Sequence, residues 1–395
     1  MSVCHERASL TKAVDDGQQQ CDISGLLEML GKVTDRRSRR GLVYELVFVL
    51  ALTLVAVLAG ASNFRQISDQ IADFPRPLLA KLGAKWCYFR GDFARPSERT
   101  VRRILEDVDA DELDSAVGAW LRENARRDGD GVLALAIDGK VLKGAWTDEN
   151  ETFTLFSAMI HDVGVTVAQR QVPAGTNEIT QVEDLMAGVS AREGEHVVVT
   201  MDAAHTQRDT ADYLKGTLGF DYVMTVKGNQ PTLLDSVVKK FSPLLRNDPD
   251  HAVEERGHGR VSHWETWISD SSGIDFPHAR QVACIRRRVY TPGGSYLSKE
   301  HAWIITSGEV EHMAAADVHT HVRLHWGIEN KSHYVRDTTW REDAQQIYVG
   351  SGPRVLATLR NLAAGLLRIN GFTRIKKATE WISRDRNRVL PLLAT

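Results

Sequence analysis

Apolar residues recur at helical spacing along the first 125 residues of the chain. Ser97 and Asp109 are placed to cap the last two of the helices that this spacing predicts. Those two helices form a candidate helix-turn-helix, although two packed surface helices would show the same pattern. The predicted helices are Ile23–Leu30, Gly41–Ala59, Phe64–Asp73, Pro77–Lys81, Glu98–Val108 and Ala110–Asn124.

One nearly unbroken apolar run, Leu46–Ala61, raises the alternative of a membrane span. The run is shorter than the roughly 20 residues that cross a bilayer. Arginines precede it and Gly60 lies near its end. A helix that is apolar on every side is also typical of the core of a large domain. We therefore interpret this run as a helix buried within a helical domain.

The pattern changes after Asp128–Gly131, where short apolar runs of strand type begin to alternate with helical segments. The order is three strands, a helix, a strand, a helix and a strand, which predicts a mixed α/β fold. The predicted strands are Val132–Ile137, Phe153–Ile160, Val163–Val172, His196–Met201 and Phe220–Val226, and the predicted helices are Glu178–Val189 and Gln207–Leu218.

This order matches the ribonuclease-H-like fold, in which an antiparallel start of three strands is followed by parallel strands flanked by helices. In that fold the first and fourth strands are neighbours, and each ends at an acidic residue. Asp138 and Asp202 take those two positions here. The match implies that both carboxylates lie at the same edge of the sheet.

The rest of the chain predicts a β-rich insertion and a helical end. A helix at Pro231–Phe241 is followed by strand-like runs with Gly and Pro turns between them, and helical spacing returns from Ala315. The predicted domains are a helical N-terminal domain over 1–127, an α/β ribonuclease-H-like catalytic core over 128–230 and 311–350, a β-rich insertion over 231–310 and a basic helical tail over 351–395.

The composition is that of an ordinary globular protein, with 43% hydrophobic and 26% charged residues. The net charge of −3 does not by itself indicate a nucleic-acid-binding protein, but a basic surface can be local. The four cysteines are scattered and contain no Cys-x-x-Cys pair, which argues against a zinc ribbon and a disulfide framework. A polar N-terminus without a signal-peptide pattern adds to the expectation of a cytoplasmic protein.

Three acidic residues are candidates for metal-dependent phosphodiester chemistry. Two Mg²⁺ ions about 4 Å apart can activate a water molecule and stabilise the leaving oxygen. Asp138, in AIDGK, follows an apolar run, but a turn aspartate fits this context equally. Asp202, in VVVTMDAAHTQ, is better evidence, because a charge at the end of a buried strand is costly without partners. Its alternative role is to cap the following helix.

The third candidate, Glu329, lies on a predicted helix around Arg323–Tyr334. At α-helical spacing its face would also carry His325 one turn earlier and Arg336 two turns later, a combination suited to metal and phosphate. A surface glutamate in an ion pair is the ordinary alternative. The histidines His319, His321, His325 and His333 also raise the alternative of a zinc site, but the segment lacks His-Glu-x-x-His and a nearby cysteine.

Taken in order along the chain, these motifs resemble the H-repeat-associated transposases, the ISAs group of insertion-sequence enzymes in the DDE transposase superfamily. The resemblance covers nearly the whole chain. It implies metal-dependent DNA strand cleavage and strand transfer, with Asp138, Asp202 and Glu329 as catalytic residues and metal ligands, and two Mg²⁺ ions that Mn²⁺ can replace. The strings that carry it are RRSRRGLVYELVFVLALTLVAVLAGASNFRQI, PSERTVRRIL, IDGKVLKGA, VTMDAAHTQRDTADYL, DYVMTVKGNQPTLLD, RGHGR and HWGIENKSHYVRDTTWREDAQQI.

The chain departs from the related enzymes around the third acid. Those enzymes carry Tyr-x2-Arg-x3-Glu-x6-Lys, whereas this chain has Val322, His325 and Arg336 at the Tyr, Arg and Lys positions. His325 and Arg336 can still donate hydrogen bonds to a phosphate. The departure therefore concerns the helper residues rather than the three acids.

DNA binding is expected to be largely electrostatic. The expected partner is double-stranded DNA, both the transposon ends and the target, bound by a homodimer or higher oligomer. The alternatives are a transposase-derived protein that binds DNA without cutting it and a nuclease of the same fold that joins no strands. The candidate DNA contacts are Lys140, Lys143, Lys227, Asn229, His258, Arg260, His325, Trp326 and Arg336.

Overall fold

The structure is a computed structural model that describes residues 22–38, 40, 42–125, 131–146 and 152–394. Most of the predicted Asp128–Gly131 boundary lies outside these residues. The described residues form two compact units. The first contains residues up to 125, then 139–176 and 329–394, and the second contains 131–138 and 177–328.

Six helices open the first unit, as the spacing predicted. Ser97 Oγ accepts a hydrogen bond from the backbone N–H of Thr100 at 3.4 Å, and Asp109 Oδ1 accepts from Asp111 and Glu112 at 3.0 Å each, so both predicted caps are confirmed. The helices are α1 (Ser24–Gly31), α2 (Leu46–Leu58), α3 (Phe64–Ala72), α4 (Arg76–Lys81), α5 (Glu98–Glu106) and α6 (Ala110–Asn124), and a short ribbon of β1 (Trp86–Cys87) and β2 (Asp92–Phe93) separates α4 from α5.

Helix α2 is the buried helix predicted from the apolar run, since every residue except Val47 is buried. It packs against a long helix near the end of the chain, α12 (Gly352–Ile369). The indole Nε1 of Trp340 donates to the backbone oxygen of Val57 at 2.8 Å. Among the residues that the structure describes, no helix combines the length and apolar character needed to cross a membrane.

The strands of the first unit lie beneath these helices. Strand β4 (Thr152–Ile160) pairs with the antiparallel β5 (Thr166–Gln171) and neighbours β3 (Val132–Trp146), which both units share. Helix α6 approaches β5 so closely that a Cβ at Gly118 would lie 2.2 Å from the backbone oxygen of Val167. The C-terminal helices of this unit are α11 (Tyr334–Trp340), α12, α13 (Ile375–Ser383) and α14 (Leu390–Leu393).

The second unit continues from β3 with parallel and then antiparallel strands. Its order is β3, β6 (His196–Met201), β7 (Asp221–Val226), β11 (Tyr296–Thr306), β10 (Gln281–Tyr290), β9 (Arg260–Asp270) and β8 (His251–Gly257). Strands β3, β6 and β7 are parallel, and the later pairs are antiparallel. The helices are α7 (Val182–Met186), α8 (Arg208–Asp212), α9 (Pro231–Leu244) and α10 (Ala315–His325).

These strands confirm the predicted mixed α/β class and the ribonuclease-H-like order. From β5 to β7 the strands of the core lie in the order third, second, first, fourth and fifth. The predicted bounds of β6 were correct. The edge strand β8 was missed because its polar sequence, HAVEERG, is largely exposed and lacks an apolar alternation.

The end of β3 is a correction to the prediction. Asp138 was predicted to end a strand at Ile137, but β3 runs on to Trp146 and Asp138 lies within it. The reason is a change of partner: the pairing of β3 with β6 covers Val132–Ala136, and β3 then continues as the neighbour of β4. The aspartate therefore lies where one pairing stops rather than where the strand stops.

Candidate active site

Two of the three predicted acids come shortly after the last paired residues of β3 and β6 in the second unit. In this parallel pairing Ala136 is the partner of Thr200, and the pairing ends there. Asp138 and Asp202 each come two residues after that last pair, Asp138 within β3 and Asp202 in the loop after β6. Both residues are partly exposed, although the residues before them are buried.

Asp202 is oriented by the loop that follows β6. Its Oδ1 accepts hydrogen bonds from the backbone N–H groups of Ala204 at 2.9 Å and His205 at 3.3 Å. The alternative role as a helix cap is excluded, because helix α8 begins after Gln207. Asn229, a predicted DNA contact, donates to the backbone oxygen of Ala203 at 2.6 Å and so fixes this loop from the end of β7.

His325 is the last residue of helix α10, and it lies near Asp202 in the second unit. Its Nδ1 lies 2.9 Å from the hydroxyl of Thr200, which comes two residues before Asp202. Burial lowers the pKa of His325 to about 4, although the nearby Asp202 carboxylate opposes that shift. His325 is therefore a neutral group that packs beside the acid, while the adjacent Trp326 is 61% exposed.

In the first unit, Glu329 lies on a π-helical turn, Ile328–His333, which leads into α11. A π-turn contains an extra residue, and such turns are frequent at functional sites. The carboxylate of Glu329 is 68% exposed, and its Oε2 lies 2.7 Å from Nδ1 of His333. The His333 ring is buried, and this burial lowers its pKa to about 4.

The π-turn also breaks the α-helical face on which Arg336 was predicted. Arg336 is 1% exposed, and its Nη2 forms an ion pair with Oε2 of the buried Glu342 at 2.8 Å. Arg360 donates to the other oxygen, Oε1, at 2.8 Å. Burial alone would raise the pKa of Glu342, but the two guanidinium groups outweigh burial and lower it. This enclosed ion triad places Arg336 in the interior, where it does not reach solvent.

The two lysines after Asp138 differ sharply in exposure. Lys140 is 7% exposed, and its Nζ lies 2.7 Å from Asp337 and 3.4 Å from Asp343. Lys143 is 74% exposed and pairs with Asp343 at 2.8 Å. Lys140 is thus enclosed by carboxylates of its own unit, whereas Lys143 remains accessible to a phosphate.

The remaining predicted DNA contacts lie on the surface of the second unit. Lys227 is exposed directly after β7. His258 and Arg260 are exposed at the tip of the β8–β9 hairpin, where Gly257 pairs with Arg260. His258 has a φ of 50° and Gly259 a φ of 69°, as a two-residue hairpin turn requires.

The histidines that suggested zinc have separate partners. His319 packs its ring 5.7 Å from the ring of Trp264, His325 contacts Thr200, and His333 contacts Glu329. The contact of His333 with the third acid was not predicted from the sequence. The spacing of four residues between Glu329 and His333 was the signal that could have revealed it.

Comparison with known families adds two matches. Residues 27–121 match the family model described as DDE_Tnp_1-associated. Residues 133–366 match the family model described as Transposase DDE domain. The two matched segments correspond to the N-terminal helices and to the strands and helices that carry the three acids.

Several known proteins are similar to the chain along most of its length. "Putative transposase YncI" of Escherichia coli O157:H7 is 26% identical over 364 residues, which are 88% of each chain. "H repeat-associated putative transposase YhhI" of Escherichia coli K12 is 24% identical over 391 residues, which cover 94% of this chain and 98% of the relative. These matches confirm the resemblance inferred from the sequence strings.

One solved structure is similar at a lower level. The piggyBac transposase synaptic complex with hairpin DNA aligns with a TM-score of 0.42 and 9% identity. The alignment covers 93% of this chain and 80% of that chain.

Proposed function

The chain belongs to the family of the transposase DDE domain, and from that premise we propose that it cuts and joins DNA strands with divalent metal ions held by Asp138, Asp202 and Glu329. The observation that supports the proposal is the parallel pairing of β3 and β6, whose last pair, Ala136 and Thr200, comes two residues before Asp138 and Asp202. Two-metal phosphodiester chemistry needs carboxylates that can reach the same pair of ions.

Glu329 and His333 support the same assignment from the helical side. Within the first unit, Glu329 and His333 can each offer a ligand atom to a metal ion. Nδ1 of His333 must donate to the ionised Glu329, which orients the carboxylate and leaves the other ring nitrogen as an acceptor. A histidine bonded to a carboxylate is a common arrangement around metal sites.

The donor atoms of the three acids fit Mg²⁺ or Mn²⁺. Carboxylate oxygens are the hard ligands that Mg²⁺ prefers, and few of them leave coordination positions for water and phosphate. When bound, two such ions would activate the attacking water or 3′-hydroxyl and neutralise charge on the phosphorus centre. Asp138, Asp202 and Glu329 would together hold these ions.

The other residues divide into supporting and DNA-contacting groups. Thr200, Asn229 and His325 hold the surroundings of Asp202 in place, as their short contacts indicate. The exposed residues are assigned to double-stranded DNA, the ends of the element and the target, in a homodimer or higher oligomer acting on chromosomal DNA in the cytoplasm. These DNA contacts are Lys143, Lys227, His258, Arg260 and Trp326.

A cleavage and joining assay tests this function. The wild-type chain is incubated with Mg²⁺ or Mn²⁺ and a DNA fragment carrying both ends of the element, together with a target plasmid. We expect cut ends with 3′-hydroxyl groups and their capture by the plasmid. Asp202→Asn keeps an acceptor for Ala204 N–H but should lower cleavage by about 10²-fold or more while DNA binding persists.

Other outcomes would replace the proposal with a different function. Wild-type protein that binds DNA but never cuts it would indicate a DNA-binding protein without catalysis. Cutting without capture by the plasmid would indicate a nuclease. Unchanged cleavage by Asp202→Asn would overturn the assignment of the acids.

A further inference from the structure

A basic cleft of about 430 Å³ lies wholly within the first unit, and its described lining includes none of the residues assigned to catalysis. Its described lining includes three arginines and no aspartate or glutamate. It lies between the start of α3 and the segment that follows α11. The three arginines are Arg65, Arg102 and Arg341.

The three arginines differ in how they are held. Arg102 stacks over the ring of Phe64, with its guanidinium carbon 5.0 Å from the ring centroid, and its Nε donates to Glu98 at 3.0 Å. Arg65 and Arg341 are exposed. Within the part of the chain that the structure describes, no side-chain hydrogen bond or ion pair neutralises either one. Two uncompensated guanidinium groups thus line one concave surface.

Both walls of the cleft are fixed by one buried arginine. Arg360 donates through Nη1 to Glu342 at 2.8 Å and through Nη2 to the backbone oxygen of Ser62 at 3.0 Å. Glu342 directly follows Arg341, and Ser62 comes shortly before Arg65. The spacing between the two walls is therefore set in the interior, so an anion would enter a preformed site.

Arg341 also has an unusual backbone conformation. Its φ of 51° and ψ of 44° lie in the left-handed region, which is uncommon for residues other than glycine. A glycine would relieve this strain, yet the chain has an arginine with an exposed, uncompensated charge. Strained residues persist where the surroundings hold them and where their side chains are used.

We propose that this cleft binds a phosphate group of the DNA backbone, with Arg65 and Arg341 as its main donors and Arg102 as a third. Arginine presents a planar set of N–H donors that matches a phosphate. None of the three acids lines this cleft. It depends on the proposed function only for the source of the phosphate, because inorganic phosphate shares the same chemistry.

The arginines of the cleft come from both segments that match known families, which suggests what phosphate binding there would do. Arg65 and Arg102 belong to the segment matched as DDE_Tnp_1-associated, and Arg341 belongs to the Transposase DDE domain. Arg341 also follows Glu329 along the same helical segment. A phosphate in the cleft would contact both matched segments at once and hold a duplex against the first unit.

A salt titration of DNA binding tests the site. The full chain and its variants Arg65→Ala, Arg341→Gly and the double variant are titrated into a fluorescent random-sequence duplex at several salt concentrations. Each single variant should weaken binding several-fold. The double variant removes both main donors to the one phosphate in the cleft, so it should lower the slope of log Kd against log salt by about 0.9. Arg246→Ala removes an exposed arginine that has no side-chain partner among the described residues and should leave the slope unchanged.

Arg341→Gly separates a binding defect from a folding defect. Because glycine adopts positive φ without steric strain, this variant should keep or raise the melting temperature while its affinity for the duplex falls. A lower melting temperature together with lower affinity would assign Arg341 a structural role and overturn its part in the proposal.

A thermal-shift titration with inorganic phosphate tests whether the phosphate bound in the cleft comes from DNA or from free phosphate. Stabilisation of the wild type by phosphate, lost in the double variant, with unchanged duplex affinity and salt slope, would show a free-phosphate site and overturn the assignment to DNA. If the variants bound both the duplex and inorganic phosphate as the wild type does, the proposed site would be overturned altogether. Neither result depends on cleavage, so the proposed catalysis could fail or stand independently.

Discussion

Two groups of charged residues, one in each unit, behave in opposite ways. In the first unit, Arg336, Glu342 and Arg360 form an ion triad whose members are each no more than 3% exposed. In the second unit, Asp138 and Asp202 remain partly exposed at the level where the pairing of β3 with β6 stops. The first group satisfies its charges internally, whereas the second keeps its side chains partly exposed to solvent.

This difference shows how a charge in this protein can be assigned to stability or to function. A buried charge is tolerated only with partners, and removing one partner leaves the others uncompensated. An exposed charge contributes little to folding because water screens it. Exposure and partners therefore separate the two roles better than distance in sequence from the acids.

The largest expected effect is loss of the enclosed triad. Arg336→Met should lower the free energy of unfolding by about 3–5 kcal/mol, because Glu342 would keep its buried charge with only Arg360 to compensate it. Urea unfolding followed by circular dichroism measures the change. A variant of normal stability that had lost DNA binding would show instead that Arg336 reaches the substrate.

A smaller effect is expected at Asp221, whose carboxylate is buried with three partners in the second unit. His196 Nε2 lies at 2.6 Å, Lys215 Nζ at 2.7 Å, and the Ser307 hydroxyl donates at 2.6 Å. Burial alone would raise the pKa of Asp221, but these three contacts outweigh burial and hold it well below its usual range. Asp221→Asn should therefore lose about 2 kcal/mol of unfolding free energy at neutral pH.

The pH dependence gives the sign of that contribution. A carboxyl group whose pKa is depressed by folding contributes stability above its unfolded pKa of about 3.9 and loses it as the pH falls further. The difference between wild type and Asp221→Asn should thus be constant near neutrality and shrink below about pH 4. Unfolding at a series of pH values measures it. A difference that grew in acid would contradict the depressed pKa.

The sequence predicted the surroundings of Asp138 and Asp202 better than it predicted the burial of the basic residues, and the reason is physical. Asp138 and Asp202 follow buried apolar runs, and the pattern of strands determines where such positions meet. The extent of β3 was not predictable in this way, since its last residues depend on pairing with β4. The register of two strands is likewise a tertiary property, although the fold match implied the neighbourhood.

Arg336 and Lys140 were assigned to DNA from their spacing relative to the acids. Their burial depends on groups distant in sequence: Arg360 completes the triad around Glu342, and Asp337 and Asp343 enclose Lys140. No local pattern reveals such partners. The π-turn at Ile328–His333 likewise changes the helical phase, so that spacing alone placed Arg336 on the wrong face.

The smallest effect on stability, and the most direct test of the contrast, concerns the two lysines after Asp138. Lys143→Met should leave urea unfolding nearly unchanged, because its ion pair with Asp343 is exposed. The same variant should lower the salt slope of duplex binding by about 0.9, because one phosphate contact is lost. Lys140→Met is the matched comparison. It should lower the free energy of unfolding and leave the salt slope of duplex binding unchanged, since the enclosed ammonium group compensates Asp337 and Asp343. If both lysines changed the salt slope equally, exposure would not separate binding from stability here.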